Sequence, residues 1–492
     1  MMDSRSGIEQ RLFYGLLALL VWLPLPLASN RVWAEAIFEV SIVLLTLLWL
    51  WASQRKAVTP GIAFSSAKPV LWLLLLWLLY LAFMLLPLPL SWRLVLSPES
   101  AHLYTQAGVN GWATLSVYPY EGFLYLMKSV AYALLFALVL LLVNSKQRLV
   151  LLAYTLVFSG LFQAFFGSMM TLSAVEYGFF VKKISYLEFA TGTFVNRNHL
   201  AGYLEMTLAI GIGLMMASSS NVEKIRTWRQ RLRSLVRLLL SQKMVLRLML
   251  AMMVIALVLT RSRMGNTAFF ASMLAAGFIC LLMFRAQSGS VRQMFSRRET
   301  RATVILLSSL MVIDLFIVGA WFGVEKVMAR IEQSSTVKDA ERIEVSLGTL
   351  KLWEDYPLLG SGGGSFHMVY PRYRSDTIAL SYDHTHEDYL EILADTGVVG
   401  LSLLGLMVLL SFFAALTALR RRHDPLMRGM AFASVMGIIA LLIHSTVDFN
   451  LQIPANAATF MVILALGWIA LNLDKRERGK QVSGSETASD AK

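Results

Sequence analysis

The chain has 492 residues, of which 57% are hydrophobic and 15% charged, with a formal net charge of +13. Soluble proteins carry about 25% charged residues, and the mean hydropathy here is +0.61, which excludes an ordinary soluble globular fold and points to an all-α polytopic membrane protein. In a soluble protein that charge would suggest nucleic-acid binding; in a membrane protein it reads as basic loops on the inner side, so no nucleic-acid partner is expected.

Arg5 and Arg11 precede an apolar run that has no small-residue cleavage site, so this run reads as a first span and not as a removed leader. About twelve apolar stretches have near-spanning length. They lie near residues 12–28, 35–52, 69–88, 123–143, 149–171, 199–217, 246–260, 266–284, 302–322, 396–418, 429–446 and 457–473. With the N-terminus in the cytoplasm, the loops falling inside are Ser53–Lys68, Asn144–Arg148, Ser219–Arg247, Arg285–Arg301, Arg420–Arg428 and the tail after Leu473. Each is basic, as the positive-inside rule requires. Ser219–Arg247 holds Lys224, Arg226, Arg229, Arg231, Arg233, Arg237, Lys243 and Arg247 among Leu232, Leu235, Val236 and Leu239. That pattern suits either an amphipathic segment on anionic lipid or a solvated basic loop. Cys280 sits in an apolar stretch and cannot form an intrachain disulfide.

The expected organisation is a bundle of spans 1–9 over residues 1–322, then a large periplasmic loop domain between spans 9 and 10 over 323–395. Spans 10–12 follow over 396–473, and a disordered cytoplasmic tail over 474–492. Both termini would be cytoplasmic. No internal repeat is visible.

Polar clusters fall at the outer ends of these spans. They are Asn196-Arg-Asn-His199, Thr260-Arg-Ser-Arg263, Arg342, Asp383-His-Thr-His-Glu-Asp-Tyr-Leu390 and His444-Ser-Thr-Val-Asp448. Outer arginines run against the positive-inside bias. Arg261 and Arg263 either snorkel to headgroups or bind an anion, since guanidinium groups grip phosphate oxygens in pairs. His384 and His386 titrate near neutrality and can serve as base, acid or donor. Their spacing beside Asp383, Glu387 and Asp388 is not that of a zinc helix, and no second ligand set is visible, so no metal is expected. Gly360-Ser-Gly-Gly-Gly-Ser365 either cradles a phosphate with backbone N–H groups or forms a flexible turn. Glu39, Lys128, Glu205 and Asp314 lie within spans, where a charge is a functional candidate, but they form no evident relay.

Four stretches between Thr191 and Asn456 occur in an order that resembles the bacterial O-antigen polymerase and O-antigen ligase superfamily. They are Thr191-Gly-Thr-Phe-Val-Asn-Arg-Asn-His-Leu-Ala-Gly202, then Ser262-Arg263, then Arg342 followed by Pro357-Leu-Leu-Gly360, and last His384-Thr-His386-Glu-Asp-Tyr-Leu390 through Gly397. The resemblance implies a metal-independent, cofactor-free glycosyltransferase at the periplasmic face of the bacterial inner membrane. Its donor would be an oligosaccharide on undecaprenyl diphosphate, and its acceptor a glycan or lipid A-core. It also implies membrane lipids as surroundings and, for a polymerase, a chain-length regulator as partner. By this resemblance His386, Arg263 and Arg342 are the catalytic residues. Arg261, Arg197, His199, His384 and Glu387 are expected to line the substrate site, Arg261 as an extra cation whose role the family does not settle. Glu387 stands where the family usually has Asn, and Met264 where Gly is common. The expected activity is polymerisation of O-antigen or exopolysaccharide repeat units, with ligation to lipid A-core or protein as the alternative. A transporter of lipid-linked sugars would suit the basic loop after the sixth span, but the absence of a repeat between halves speaks against it.

Overall fold

The computed structural model describes residues 2–217 apart from 174, 179 and 180, residues 242–288, and residues 336–473 apart from 377, 379 and 380. The expected ninth span at 302–322, Asp314, most of the basic loop after the sixth span and the tail at 474–492 lie outside the described residues.

The described chain is almost entirely helical, because lipid offers the backbone no hydrogen-bond partners. In chain order, α1 (Met2–Trp22) and α2 (Val32–Gln54) form an N-terminal hairpin. The short α3 (Ile62–Ser66) and then α4 (Lys68–Met84) lead into two short helices, α5 (Leu90–Leu96) and α6 (Pro98–Gln106). Next come α7 (Pro119–Leu142) and α8 (Lys146–Ser173), followed by a small antiparallel ladder pairing Tyr177 with Lys182 and Gly178 with Val181. Then follow α9 (Arg197–Ala217), α10 (Gln242–Leu259) and α11 (Arg263–Ser288). The last group is α12 (Thr336–Asp355), the single turn α13 (Phe366–Val369), α14 (Asp388–Arg421), α15 (Pro425–His444) and α16 (Pro454–Asn472).

Among the described residues, 8 helices are long and apolar enough to cross a membrane: α2, α7, α8, α9, α11 over Arg263–Met283, α14, α15 and α16. Helices α1, α4 and α10 occupy the first, third and seventh expected spans. Burial separates centre from rim: 94% of the apolar window of α16 and 89% of that of α9 are buried inside the protein, against 22% for α2. The tightest packing is α9 on α15. It depends on Gly213 and Gly429, where a Cβ on either would collide with the other's backbone carbonyl, the small-residue route to close helix approach in lipid.

Polar contacts define the two ends of the bundle. At one end, Arg148 Nη1 meets Glu9 Oε1 at 2.8 Å and Lys146 Nζ meets Asp424 Oδ2 at 2.8 Å. Arg422 Nη2 donates to the Leu473 carbonyl at the same end. The segments carrying Arg197, Arg261, His386 and Asp448 all lie at the opposite end.

A second, smaller hydrophobic core sits outside the bundle at that opposite end. Val345, Leu352, Tyr356, Phe366, Val369, Tyr370, Ile378 and Ala394 form it, with Leu103 and Val117 packed against it. It therefore joins the expected 323–395 loop to the preceding outer segment. Arg372 Nη1 pairs with Glu99 Oε1 at 3.1 Å, and Val117 N donates to the Ser361 carbonyl at 2.8 Å.

The glycine run is pinned, and its N–H groups are largely spent on the protein itself. Ser361 N donates to the Ala394 carbonyl at 3.0 Å, Gly362 N to the Asp395 carbonyl at 2.9 Å, and Gly364 N to Asp395 Oδ2 at 2.8 Å. Gly360 has φ +74°, and a Cβ there would strike the Asp395 backbone. Opposite it, α14 breaks at Gly397 (φ 61°, ψ −174°), which lets Val398 N reach the Pro357 carbonyl at 3.0 Å. The run is thus a clip that fixes the extramembrane layer to the top of α14. It is neither a phosphate cradle nor a loose turn.

Candidate functional site

The arginine half of the site grows from helix starts. Arg197 is the first residue of α9 and Arg263 the first of α11. Asn196 Oδ1 accepts from Asn198 N at 2.9 Å, and Ser262 Oγ accepts from Gly265 N at 3.1 Å, so both starts are capped. A cation in a first turn runs against the helix dipole, and a bound anion there would be favoured by both the dipole and the guanidinium groups. The Ser262 turn also forces Arg261 into a left-handed conformation, φ +51°. Arg197 lies 4.1 Å above the Phe189 ring and Arg261 lies 5.3 Å from the same ring. The loop carrying Phe189 is held by the Lys183–Glu176 ion pair at 2.8 Å and by Lys183 Nζ donating to the Phe189 carbonyl at 3.0 Å. The charges of Arg263, Arg342 and Arg261 all act on the Arg197 guanidinium. Four arginines, from two helix starts, a tight turn and α12, therefore share one field.

The close approach of α11 to α9 falls at Gly265, the residue after Met264, where a Cβ would collide with the Ala201 side chain.

The histidine half is built around Phe449, a residue with no motif of its own in the sequence. Its ring stacks on His384 at 4.5 Å and meets His199 and His386 edge-on at 4.6 and 4.9 Å. Asp448, the neighbouring residue, lies 3.5 Å from His199 Nε2 and 3.9 Å from His386 Nδ1. The longer distance is a charge contact and not a hydrogen bond. Burial pushes the Asp448 carboxyl up, but the imidazoles of His199 and His386 overcome it and hold it well below the usual carboxylate range. Asp448 Oδ2, His386 Nδ1 and Arg197 Nε are buried without hydrogen-bond partners, which leaves donor and acceptor capacity unspent in both halves. Tyr186 connects the halves. Burial and the Asp448 charge raise its phenol, while Arg342 and Arg197 act in the opposite sense.

His386 has φ +60°, a conformation that costs a non-glycine residue of order 1–3 kcal/mol. Its neighbours enforce it. Thr385 Oγ1 donates to the Glu387 carbonyl at 2.6 Å and accepts from Glu387 N at 3.1 Å. Thr385 N donates to Glu391 Oε2 at 2.9 Å, and Asp388 N donates to the Ser445 carbonyl at 3.0 Å. Asp388 in turn accepts from Ser445 Oγ at 2.7 Å and from Leu451 N at 3.2 Å, tying the His386 turn to the Asp448 loop.

Glu387 is the N-cap of α14, where its Oε2 accepts from Leu390 N at 3.1 Å. Capping is a role Asn fills equally well, so the departure at this position leaves the turn intact; the carboxylate near His386 is supplied by Asp448. Burial pushes the Glu387 carboxyl up to about 7. His384 Nδ1 donates to Glu391 Oε1 at 2.7 Å. Burial would depress the His384 imidazolium, and the Glu391 carboxylate outweighs it, so His384 is held above the ordinary histidine range.

Behind this layer lies a pair joining two motifs that looked unrelated in sequence. His444 Nδ1 and Glu205 Oε1 are 2.8 Å apart, both fully buried. Removing one partner of such a pair leaves an uncompensated polar group and costs roughly 3–5 kcal/mol, whereas replacing both with apolar residues is often neutral. Glu205→Ala is therefore expected to lower thermal stability sharply, and Glu205→Met with His444→Leu to restore most of it. Unfolding curves of the purified variants check this; an unchanged midpoint for the single variant would remove the pair from the fold's supports.

The site thus brings together Arg197, Arg261, Arg263, Arg342, His199, His384 and His386 at one end of the bundle. Glu387 contributes through the backbone. Phe449 gave no signal as a lone aromatic, while Asp448 closed a motif already noted. Among the described residues, no group of three or more His, Cys, Asp or Glu is arranged to hold a metal ion.

Residues 248–404 match the family model described as O-antigen ligase. Through this segment the chain is similar to that family, which supports the resemblance to the O-antigen ligase and polymerase superfamily. The matched segment spans Arg261, Arg263, Arg342, His384 and His386. It stops short of Asp448 and Phe449 and begins after Arg197 and His199. No curated protein matches the chain.

Proposed function

We propose that this protein is a metal-independent, inverting glycosyltransferase of the inner membrane that polymerises glycan repeat units carried on undecaprenyl diphosphate. The convergence of Arg197, Arg261, Arg263 and Arg342 beside the His386–Asp448 pair carries this reading. In it the chain crosses the membrane about twelve times, with residues 302–322 as the ninth span, and the site opens to the periplasm. The basic loops and both termini face the cytoplasm.

The chemistry follows from the two halves. An acceptor hydroxyl oxygen attacks the anomeric carbon on the face opposite the diphosphate. The glycosidic C–O bond to the diphosphate breaks, and its electron pair stays on the leaving phosphate. The four guanidinium groups stabilise that growing charge in place of a divalent cation. His386 accepts the hydroxyl proton, and Asp448 balances the imidazolium that forms. The products are the extended glycan and undecaprenyl diphosphate.

A second reading, ligation of finished glycan to lipid A-core or protein, is favoured by the description of the matching family model. Both readings share the site and differ in acceptor. Deleting the gene in its native host and profiling the surface glycan separates them. Loss of long chains, with single units still made, supports polymerisation, and a chain-length regulator is then the expected partner. Full-length polymer stranded on the lipid carrier supports ligation. An unchanged profile refutes both, and counterflow of intact lipid-linked sugar by the reconstituted protein would favour a transporter.

A further inference from the structure

The transfer chemistry leaves unused a row of polar side chains between α2 and α7. Glu35 and Glu39 lie one turn apart on α2, and Tyr125, Lys128 and Tyr132 share a face of α7 by the same spacing. Lys128 Nζ meets Glu35 Oε2 at 3.0 Å, yet the two side chains remain 25% and 23% exposed. The pair joins the first turn of α2 to α7 near the end of the bundle that carries the histidines, where this much exposure leaves both charges open to a polar ligand. Glu39 feels the charges of both Glu35 and Lys128. The Tyr132 hydroxyl is buried without a hydrogen-bond partner, and its ring packs 5.7 Å from Phe38.

The row is continuous with the histidine half of the site. Tyr125 abuts the pinned glycine run, where a Cβ on Gly363 would strike its ring. It also lies within the field of Asp395, Glu391 and Asp388. The Lys128 charge reaches His384. A polar track thus leads from His384 down the α2–α7 face, on elements that carry none of the four site arginines.

The sign of this track differs from that of the arginine cluster. Two carboxylates against one ammonium repel a diphosphate, which the arginines would attract. Carboxylates, an ammonium and phenols together suit the hydroxyl groups of a sugar, to which they can both donate and accept. We infer that the α2–α7 face is a sugar subsite that holds the polyhydroxylated headgroup of the lipid-anchored acceptor and delivers its hydroxyl to the histidines. The assignment of this sugar as acceptor rests on the transferase reading; the subsite itself does not.

The test uses the full chain in lipid nanodiscs and an octyl glucoside bearing a diazirine as probe, with labelled peptides identified by mass spectrometry. Labelling is expected on α2 and α7, displaced by unmodified octyl glucoside and not by inorganic diphosphate. Glu39→Gln keeps the side chain's shape and is expected to lower labelling, and to raise the acceptor KM, about 10-fold with the donor KM unchanged. The exchange Glu35→Lys with Lys128→Glu restores an ion pair and is expected to keep the unfolding midpoint while losing the label. Wild-type labelling in that exchanged protein would reduce the pair to a structural one and overturn the subsite, as would label confined to other helices. Labelling on α2 and α7 in a protein that transfers no glycan from a lipid-diphosphate donor would retain the subsite and refute the transferase reading alone.

Discussion

Replacing His386 by alanine is expected to leave the protein in the membrane and to lower glycan transfer by about 10²–10⁴-fold. His386 stands at the meeting of three constraints. Its backbone is held at φ +60° by the Thr385 and Glu387 hydrogen bonds. Its ring is fixed against Phe449 at 4.9 Å, and its Nδ1 faces Asp448 at 3.9 Å. A residue kept in a strained conformation by surrounding structure is best explained by what it positions, here an imidazole facing a carboxylate on one side. The variant should unfold at a temperature close to that of the parent, because His386 keeps 21% of its side chain exposed and fills no core. Asp448→Asn is expected to reduce turnover as well, through loss of the charge that balances the imidazolium. The check is transfer from a purified lipid-linked donor, with membrane content quantified in parallel. Normal product from His386→Ala would sink the proposed mechanism, and loss of the protein from the membrane would call for His386→Gln in its place.

Much of this arrangement was legible in the sequence, for identifiable reasons. Spans such as 123–143 and 457–473 are visible because an apolar run of spanning length has few other uses, and α7 and α16 occupy them. Arg197, Arg261 and Arg263 stood out because cations at those span ends defy charge bias; the structure sets Arg197 and Arg261 against Phe189 and puts Arg263 and Arg342 within the field of Arg197. Other features needed three dimensions. The Glu205–His444 pair joins residues 239 positions apart, and no periodicity reports a partner at that range. Glu387 was expected in the substrate site, but a carboxylate just before a helix is as readily spent on a backbone N–H, here that of Leu390. The glycine run could be read as a phosphate loop only while Asp395 was invisible as its acceptor. Phe449 is one of 27 phenylalanines in the chain, and nothing local separates it from those facing lipid.

Arg263→Ala and Arg342→Ala are each expected to lower the rate of transfer by about 10²–10³-fold, with a smaller effect on donor binding than on turnover. The reason is where charge appears. In the proposed reaction the diphosphate is already anionic in the bound donor, but it gains further charge as the glycosidic bond breaks, and guanidinium groups fixed beforehand respond without reorganising. Lysine should recover only part of the loss, since a point charge cannot grip two phosphate oxygens as the planar fork does. In the proposed reaction the two arginines act on one leaving group from separate elements, α11 and α12, so the double variant should lose less than the product of the single losses. A donor with one phosphate in place of two should be a poor substrate for the parent and nearly insensitive to the arginine variants. Single-turnover transfer with both donors distinguishes these effects from a loss of folding, which would depress both donors alike. Arginine variants that transfer from the diphosphate donor at the parent rate would mean that the cluster serves the membrane surface and not the reaction.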